Sequence, residues 1–206
     1  MTLPYPNIPN ILLASNTSYH LRLATLKDAS EICAVMDTCF QALEQKEYFI
    51  CDDLDYVKDI LSDHGFGVVA CNENDEIVGN LLVKYPGITE ENLGYDVFVT
   101  KNIPSPTPYT LTSLHPPFLS EANLKRVLHM DSASVLPAHR GYGLEGKMIA
   151  FAESLVDTSK HCYAFATVDP RNIASLKTLE KCGYQIMVTK EKYNGFVRHV
   201  MMKQFI

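Results

Sequence analysis

The sequence has no excess of positive charge and no long apolar run. Its 18 lysine and arginine residues stand against 24 aspartate and glutamate residues, which gives a net charge of −6. Proteins that bind nucleic acid or anionic membranes through phosphate contacts need clustered lysine and arginine, so we expect neither partner. A membrane-spanning helix needs about 20 consecutive apolar residues, and no stretch approaches that length. We therefore expect no membrane-spanning segment.

Closely spaced cysteine pairs are lacking as well. The sequence has no Cys-x-x-Cys and no neighbouring histidine cluster, and its six cysteines are scattered: Cys33, Cys39, Cys51, Cys71, Cys162 and Cys182. This spacing disfavours a zinc site or a disulfide framework and predicts reduced, mostly buried thiols. The first residues also lack the basic start and apolar stretch of a secretory signal. We expect a cytoplasmic protein without a metal site.

The chain does contain enough apolar material for one core. Apolar residues make up 47% and charged residues 20% of the 206 residues, close to the composition of ordinary globular proteins. This length suits one domain. We therefore expect a single domain over residues 1–206, with an irregular arm at 1–18. A long insertion at about 86–124 is also expected, because the periodic pattern dissolves there.

Hydrophobic periodicity predicts alternating strands and helices. Residues 19–24 alternate with a period of two, as in a strand. Thr25 and Asp28 have the spacing of a capping box, and apolar residues then recur at helical spacing from Ala29 to Phe40. The later predicted elements are a helix from Asp52 or Asp53, a hairpin turning at 72–76, a strand at 126–136, a helix from Leu144, a strand at 162–168, a helix from Asn172 to Gly183, and a hairpin turning at 193–195. This order predicts a mixed α/β layer structure.

The most informative segment is Val135-Leu136-Pro137-Ala138-His139-Arg140-Gly141-Tyr142-Gly143-Leu144. It predicts a strand, a glycine-containing turn and the start of a helix. Glycine permits positive φ and a close approach of the backbone to a ligand. A helix start presents unpaired N–H groups that suit a phosphate, although an ordinary strand-to-helix turn is the alternative. The P-loop and Rossmann patterns are not met.

This segment resembles the Q/R-x-x-G-x-G/A loop of the GNAT superfamily of acetyl-CoA-dependent N-acetyltransferases. Residues 140–144 fill the pattern, and Glu145 replaces the last small residue. We expect Glu145 to point away from the ligand or to pair with Lys147. A frame that begins at Ala138 also places the two glycines but lacks the initial Gln or Arg. The stretch 172–184 is similar to the later family motif N-x-x-[SA]-x-x-x-[YF]-E-K-x-G-[FY], at the family's distance.

The resemblance implies an α/β (α+β) fold with a mixed, mostly antiparallel twisted sheet flanked by helices. Two central strands would splay, and acetyl-CoA would lie between them. Strand amides would hold the acetyl and pantetheine groups, the turn would hold the pyrophosphate, and two polar residues of the next helix would contact the cofactor. The implied cofactor-binding residues are Val135, Arg140, Gly141, Tyr142, Gly143, Leu144, Asn172 and Ser175. Helix capping is the alternative role for the last two.

Transfer to an amine requires a neutral amine, a polarised thioester carbonyl and a proton for the departing thiolate. Many relatives supply that proton from a tyrosine, but Leu179 occupies the matching position here. His129 and Asp131 lie two residues apart on the strand before the loop. Asp131 is our candidate catalytic base, and a structural residue at the strand edge is the alternative.

We predict an N-acetyltransferase that moves an acetyl group from acetyl-CoA directly to an amine of a small molecule or peptide. It would act as a monomer or homodimer. A non-catalytic acyl-CoA-binding regulatory module on the same fold is the alternative, because Leu179 and Glu145 depart from the family pattern. The uncharged, proline-rich insertion at 86–124 is expected to help form the acceptor pocket, with a surface flap as the alternative.

Overall fold

The computed structural model describes residues 18–85, 126–192 and 195–205. The predicted insertion at about 86–124 lies outside the described residues, as does the predicted arm at 1–18 except for its last residue. The expectation of a single domain over 1–206 therefore stays a prediction.

Seven strands and four α-helices form the described part of the chain. The strands are β1 (His20–Leu23), β2 (Gly65–Cys71), β3 (Ile77–Lys84), β4 (Val127–Val135), β5 (Tyr163–Val168), β6 (Gln185–Lys192) and β7 (Phe196–Gln204). The helices are α1 (Ala29–Gln41), α2 (Leu54–Asp59), α3 (Leu144–Ser154) and α4 (Ile173–Lys181). A π-helical turn, Ile60–His64, continues α2, and short 3-10 turns lie at Leu26–Asp28, Lys46–Tyr48 and Pro137–His139. Within the described residues, the predicted order of strands and helices is confirmed. Residues 193 and 194 of the predicted last hairpin turn lie outside the described residues.

The described strands form one sheet in the order β1-β2-β3-β4-β5-β7-β6. Every pairing is antiparallel except that of β4 with β5, which is parallel. This parallel pairing ends where Met130 lies opposite Ala166. Beyond it, β4 continues along β3 to Val135 and β5 continues along β7 to Val168. The central strands therefore splay, which confirms the predicted mixed, mostly antiparallel fold.

A β-bulge in β4 lies where the two strands separate. Val83 of β3 pairs with Met130, whereas Leu81 pairs with Ala133. Asp131 and Ser132 thus lie opposite a single residue of β3. A bulge adds twist and changes the direction of side chains. Both polar side chains contact the region around α2, as described below.

Helices cover both faces of the sheet. Ile32 and Met36 of α1 pack with Leu82 of β3 on one face. Met148 of α3 packs with Leu81, also of β3, on the opposite face. Complete burial of such a side chain stabilises the fold by about 1.5–3 kcal/mol. These two layers hold the splayed strands from both sides.

The predicted capping box before α1 is present. The backbone N–H and the hydroxyl of Thr25 both donate to Asp28, at 2.7 and 2.9 Å. Arg22 adds two hydrogen bonds to the same carboxylate, at 2.8 and 2.9 Å. These hydrogen bonds, chiefly those from Arg22, lower the pKa of Asp28 to about 2. The start of α1 is thereby tied to β1.

All six cysteines are free thiols, and each is buried or half-buried. Burial raises the pKa of Cys39 and Cys71. Among the residues described, no helix combines the length and the apolar composition needed to cross a membrane.

Candidate functional site

The turn between β4 and α3 forms one wall of the candidate site. Gly141 and Gly143 have φ angles of +86° and +69°, in the region that favours glycine. A Cβ on either residue would meet no atom within 4 Å, so backbone conformation, not lack of space, requires glycine here. Gly143 is the N-cap of α3 and has no side chain to cap the helix. The first N–H groups of α3 can therefore bind an anion.

Tyr19, which directly precedes β1, contacts this turn. Its Oη lies 2.9 Å from Nδ1 of His139, within hydrogen-bonding distance. Its ring centroid lies 5.4 Å from that of Tyr142, and Tyr19 is 4% exposed. The ring of Tyr142 therefore packs beside Tyr19, where the resemblance implied a cofactor contact. The sequence analysis treated Tyr19 only as part of a strand.

The N-terminal turn of α4 forms the facing wall. Asn172 caps the helix, because its Oδ1 accepts a hydrogen bond of 3.4 Å from the backbone N–H of Ser175. The hydroxyl of Ser175 donates to Glu145 of α3 at 2.6 Å. The capping role considered for Asn172 is thus present, and both α4 residues also line the cavity between the walls.

A cavity of about 430 Å³ lies between these walls. This volume falls in the range of about 300–1,000 Å³ that is usual for small-molecule sites. Seven predicted cofactor residues line it, namely Val135, Arg140, Gly141, Gly143, Leu144, Asn172 and Ser175. The eighth, Tyr142, does not line it in the described structure. The two sequence motifs therefore meet around one cavity.

A second cavity of about 70 Å³ lies in the gap between the splayed strands. Its lining includes Ala133 of β4, Thr167 of β5 and Leu179 of α4. Several residues line both cavities, which places the two next to each other: Tyr48, Phe49, Ala133, Glu145, Asn172 and Ser175. Together they form a cleft that leads from the turn into the sheet.

An ion network around one buried pair holds the loop between α1 and α2 beside this cleft, and its Arg171 also packs on the ring of Tyr48. Arg198 is 3% exposed and lies 3.1 Å from the carboxylate of Asp169, which is 1% exposed. Arg198 also donates to the backbone carbonyl of Glu47. Arg171 lies 2.8 Å from Asp169 and 3.1 Å from the Glu47 carboxylate. Removing one member of such a buried pair usually destabilises a protein by about 3–5 kcal/mol.

Asp131 lies at the bulge of β4 and is closely surrounded. Tyr56 of α2 donates a hydrogen bond of 2.5 Å to its Oδ2, and His129 Nδ1 lies 3.3 Å from its Oδ1. Burial acts to raise the pKa of Asp131, but the contacts with His129, Tyr56 and Lys84 hold it below the ordinary value. These contacts favour the ionised form of Asp131.

Asp52, in the loop before α2, contacts the same bulge. The hydroxyl of Ser132 donates a hydrogen bond to its Oδ2. Burial raises the pKa of Asp52 to about 6, with the charge of Asp131 adding to the effect, while Ser132 and Lys84 oppose it. The sequence analysis considered Asp52 only as a helix start, because its partner lies 80 positions away in the chain.

The expectation for Glu145 was wrong in both forms. Its carboxyl neither points away from the cavity nor pairs with Lys147, since it lines both cavities and binds Ser175. Lys147 Nζ is buried and has no hydrogen-bond partner among the described residues. A helix start favours a negative charge by about 0.3–1 kcal/mol. Burial nevertheless raises the pKa of Glu145, and the Ser175 hydrogen bond opposes this rise only in part.

One further cluster lies outside this cleft. Ligand atoms of His20, Cys71 and Asp75 fall within 4.8 Å of one another near the ends of β1 and β2. The positive charge of Arg22 acts on Cys71 and disfavours a cation there. We assign this cluster no metal.

Solved structures with the same fold include acetyltransferases. The chain aligns with yncA of Salmonella typhimurium, solved with its cofactor acetyl-CoA, at a TM-score of 0.59 and 15% identity over 93% of this chain and 95% of that one. A GNAT-family acetyltransferase of Streptococcus pneumoniae gives a TM-score of 0.62 and 16% identity, over 91% and 99% of the two chains. Naa20 of Chaetomium thermophilum, solved with a bisubstrate analogue, gives 0.60 and 14%, over 90% and 86%.

No protein-family model matches the sequence, and no curated protein matches it in sequence. The chain has the GNAT fold, as the two sequence motifs predicted.

Proposed function

We propose that this chain is a GNAT-type acetyltransferase that transfers the acetyl group of acetyl-CoA directly to an amine. The observation that carries this proposal is the cleft, which joins the uncapped start of α3 to the gap between β4 and β5. A phosphate-bearing ligand with a long amide-containing arm suits both ends of such a cleft. Structures of the same fold with acetyl-CoA or a bisubstrate analogue support it.

In this proposal the described residues bind and orient the cofactor, which supplies the acetyl group as a thioester. The N–H groups after Gly143 would bind the pyrophosphate. Backbone groups of β4 near Val135 would bind the pantetheine arm on one side, and Asn172 and Ser175 would contact it on the other. Each of these residues lines the larger cavity.

Two carboxyl groups at the bulge, which differ in their pKa, would act on the amine and its proton. Asp131 is held ionised by its neighbours and can attract an ammonium group. Asp52 has a pKa of about 6 and can accept a proton near neutral pH, as a general base does. Asp131 as the base stays a prediction, and we propose Asp52 as the stronger candidate.

The amine acceptor is proposed to approach from the side of the loop between α1 and α2. Asp52 belongs to that loop, and Asp131 and Lys84 lie next to it. The negative charge of the two carboxyl groups exceeds the positive charge of the one lysine, which favours an acceptor that carries a positive charge. This is compatible with an amine of a small molecule or of a peptide.

A non-catalytic acyl-CoA-binding module is the second candidate. It is favoured by Leu179, which is 4% exposed and offers no proton to a departing thiolate. Glu145 favours it too, because a carboxyl at the start of α3 departs from the usual small residue.

Turnover separates the two candidates. Acetyl-CoA is incubated with a panel of small amines and peptides, and free CoA thiol is followed with a thiol reagent. Acceptor-dependent thiol release supports the transferase. CoA binding without release for any acceptor supports the binding module, and absence of CoA binding by folded protein contradicts both. Location in the cytoplasm and a monomeric or homodimeric state stay predictions.

A further inference from the structure

Glu145 lies at the junction of the two cavities. It is the second residue of α3 and lines both the larger cavity at the turn and the smaller one between the strands. Ser175, which donates to it at 2.6 Å, also lines both. A ligand that extends from one cavity into the other therefore passes this carboxyl group.

No cation neutralises this carboxyl group within the described residues. Lys147 belongs to the same helix, yet its Nζ has no hydrogen-bond partner there. Arg140 of the turn is exposed and donates instead to the Val135 carbonyl at 3.1 Å. The other titratable groups that line the cavities are Cys39, Tyr48, Asp131 and His139. Cys182, which follows the last residue of α4, also interacts with Glu145.

We propose that Glu145 is protonated when CoA is bound, so that binding takes up a proton. The neutral carboxyl group would donate its O–H to an amide carbonyl of the pantetheine arm. This inference rests on the proposed function, since it requires CoA in this cleft. A neutral carboxyl can both donate and accept hydrogen bonds, whereas a carboxylate only accepts.

Electrostatics supports the proton uptake. Burial raises the pKa of Glu145 before any ligand is present. A pyrophosphate at the start of α3 would bring further negative charge, and a like charge nearby raises the pKa of a carboxyl group again. The protonated form also removes the repulsion that a carboxylate would exert on the cofactor.

The test is calorimetric titration of CoA into the full chain and into Glu145→Gln, between pH 6 and pH 8. Two buffers of different ionisation enthalpy give the number of protons taken up. Wild type should take up a fraction of a proton that Glu145→Gln does not. The ratio of the wild-type dissociation constant for CoA to that of Glu145→Gln should rise with pH, by up to tenfold per pH unit. Ionisation of CoA itself contributes equally to both proteins.

Two further variants sharpen the result. Glu180→Gln removes an exposed carboxyl group of α4 and should behave as wild type. Ser175→Ala removes the hydroxyl group that lowers the pKa of Glu145, so the fall in affinity should shift to higher pH.

Equal proton uptake by wild type and Glu145→Gln would overturn this role for Glu145 while CoA binding, and with it the proposed function, stands. If neither protein binds CoA although melting curves show both folded, the inference and the proposed function are both overturned.

Discussion

Glu145 and Asp131 line the cleft and Asp52 interacts with Asp131, and these three carboxyl groups differ because each has different neighbours. Asp131 is hydrogen-bonded by a tyrosine and contacted by a histidine, and its pKa is lowered. Asp52 accepts a hydrogen bond from the Ser132 hydroxyl and has a pKa of about 6. Glu145 also accepts a hydrogen bond from a serine hydroxyl, and burial raises its pKa. Such contrasts between neighbouring acids are common where proteins move protons.

Gly143→Asp should weaken CoA binding at least tenfold, because it places a carboxylate beside the proposed pyrophosphate site. Gly143→Ala is the control for a side chain at this positive φ, since it introduces strain of about 1–2 kcal/mol without the charge. Affinities come from calorimetric titration of both folded variants. Equal CoA affinity for Gly143→Asp and Gly143→Ala would contradict a phosphate site at this turn.

Asp52→Asn should remove the acidic limb, near pH 6, of the pH profile of kcat/KM for the amine. A general base typically contributes a factor of about 10²–10⁴, so kcat/KM should fall by at least about tenfold at neutral pH. Asp55→Asn, at an exposed position of α2, is the control. An unchanged acidic limb in Asp52→Asn would rule out this base.

The same variant also has a predictable stability profile. Folding raises the pKa of Asp52 from 3.8 to about 6. The folded state therefore binds more protons between these values, and its free energy of unfolding falls as the pH rises through them. Asp52→Asn lacks this fall. In urea unfolding, the free energy of unfolding of Asp52→Asn relative to that of wild type should rise from pH 4 to pH 7. A difference between the two proteins that does not change with pH would contradict the raised pKa.

At the scale of elements, the start of α1 depends on the contacts of Asp28. Asp28→Asn should lower the free energy of unfolding by about 1–2 kcal/mol at pH 7. The pKa of Asp28 is about 2 in the folded protein against an ordinary 3.8. This stabilisation is complete above the ordinary value and is lost as the pH falls through 2.

Urea unfolding of wild type and Asp28→Asn at pH 7 and pH 2.5 checks this expectation. The difference between the two proteins should narrow at the lower pH. Glu73→Gln, at an exposed turn position, should leave the free energy of unfolding within about 0.5 kcal/mol of wild type.

Local patterns made the elements predictable. The period-two alternation of 19–24, the Thr25 and Asp28 spacing and the glycines before α3 all act within a few residues. The strand, the capping box and the positive-φ turn that they predict are present. The splayed strands followed only from the family resemblance. No local signal marks the register at which β4 leaves β5.

The contacts that shape the site were harder to predict because they join distant positions. Tyr19 and His139 are 120 positions apart, and the hydrogen bond from Ser132 to Asp52 spans 80. Glu145 and Ser175 are 30 apart, and their pairing depends on how α3 packs beside α4. The sequence supplies the residue types, but only the fold decides which of them meet.

For the whole molecule, CoA should raise stability by mass action. At a ligand concentration one hundred times the dissociation constant, the gain is about 2.7 kcal/mol. For a chain of this size, that corresponds to an increase in melting temperature of about 5–10 °C. Thermal unfolding with and without CoA checks this, with adenosine as a control that lacks the pyrophosphate and the arm. An identical melting temperature with millimolar CoA would contradict the cofactor site.

The early end of the β4–β5 pairing also gives the sheet two halves. Four registered residue pairs, from Val127–Tyr163 to Met130–Ala166, join β1–β4 to β5–β7. Beyond them, each half presents an inner edge whose N–H and C=O groups need partners other than the opposite strand. In the proposed function the amide-bearing arm of CoA supplies those partners. The ligand would then complete the hydrogen bonding between the two half-sheets, which a shared apolar core with α3 already keeps together.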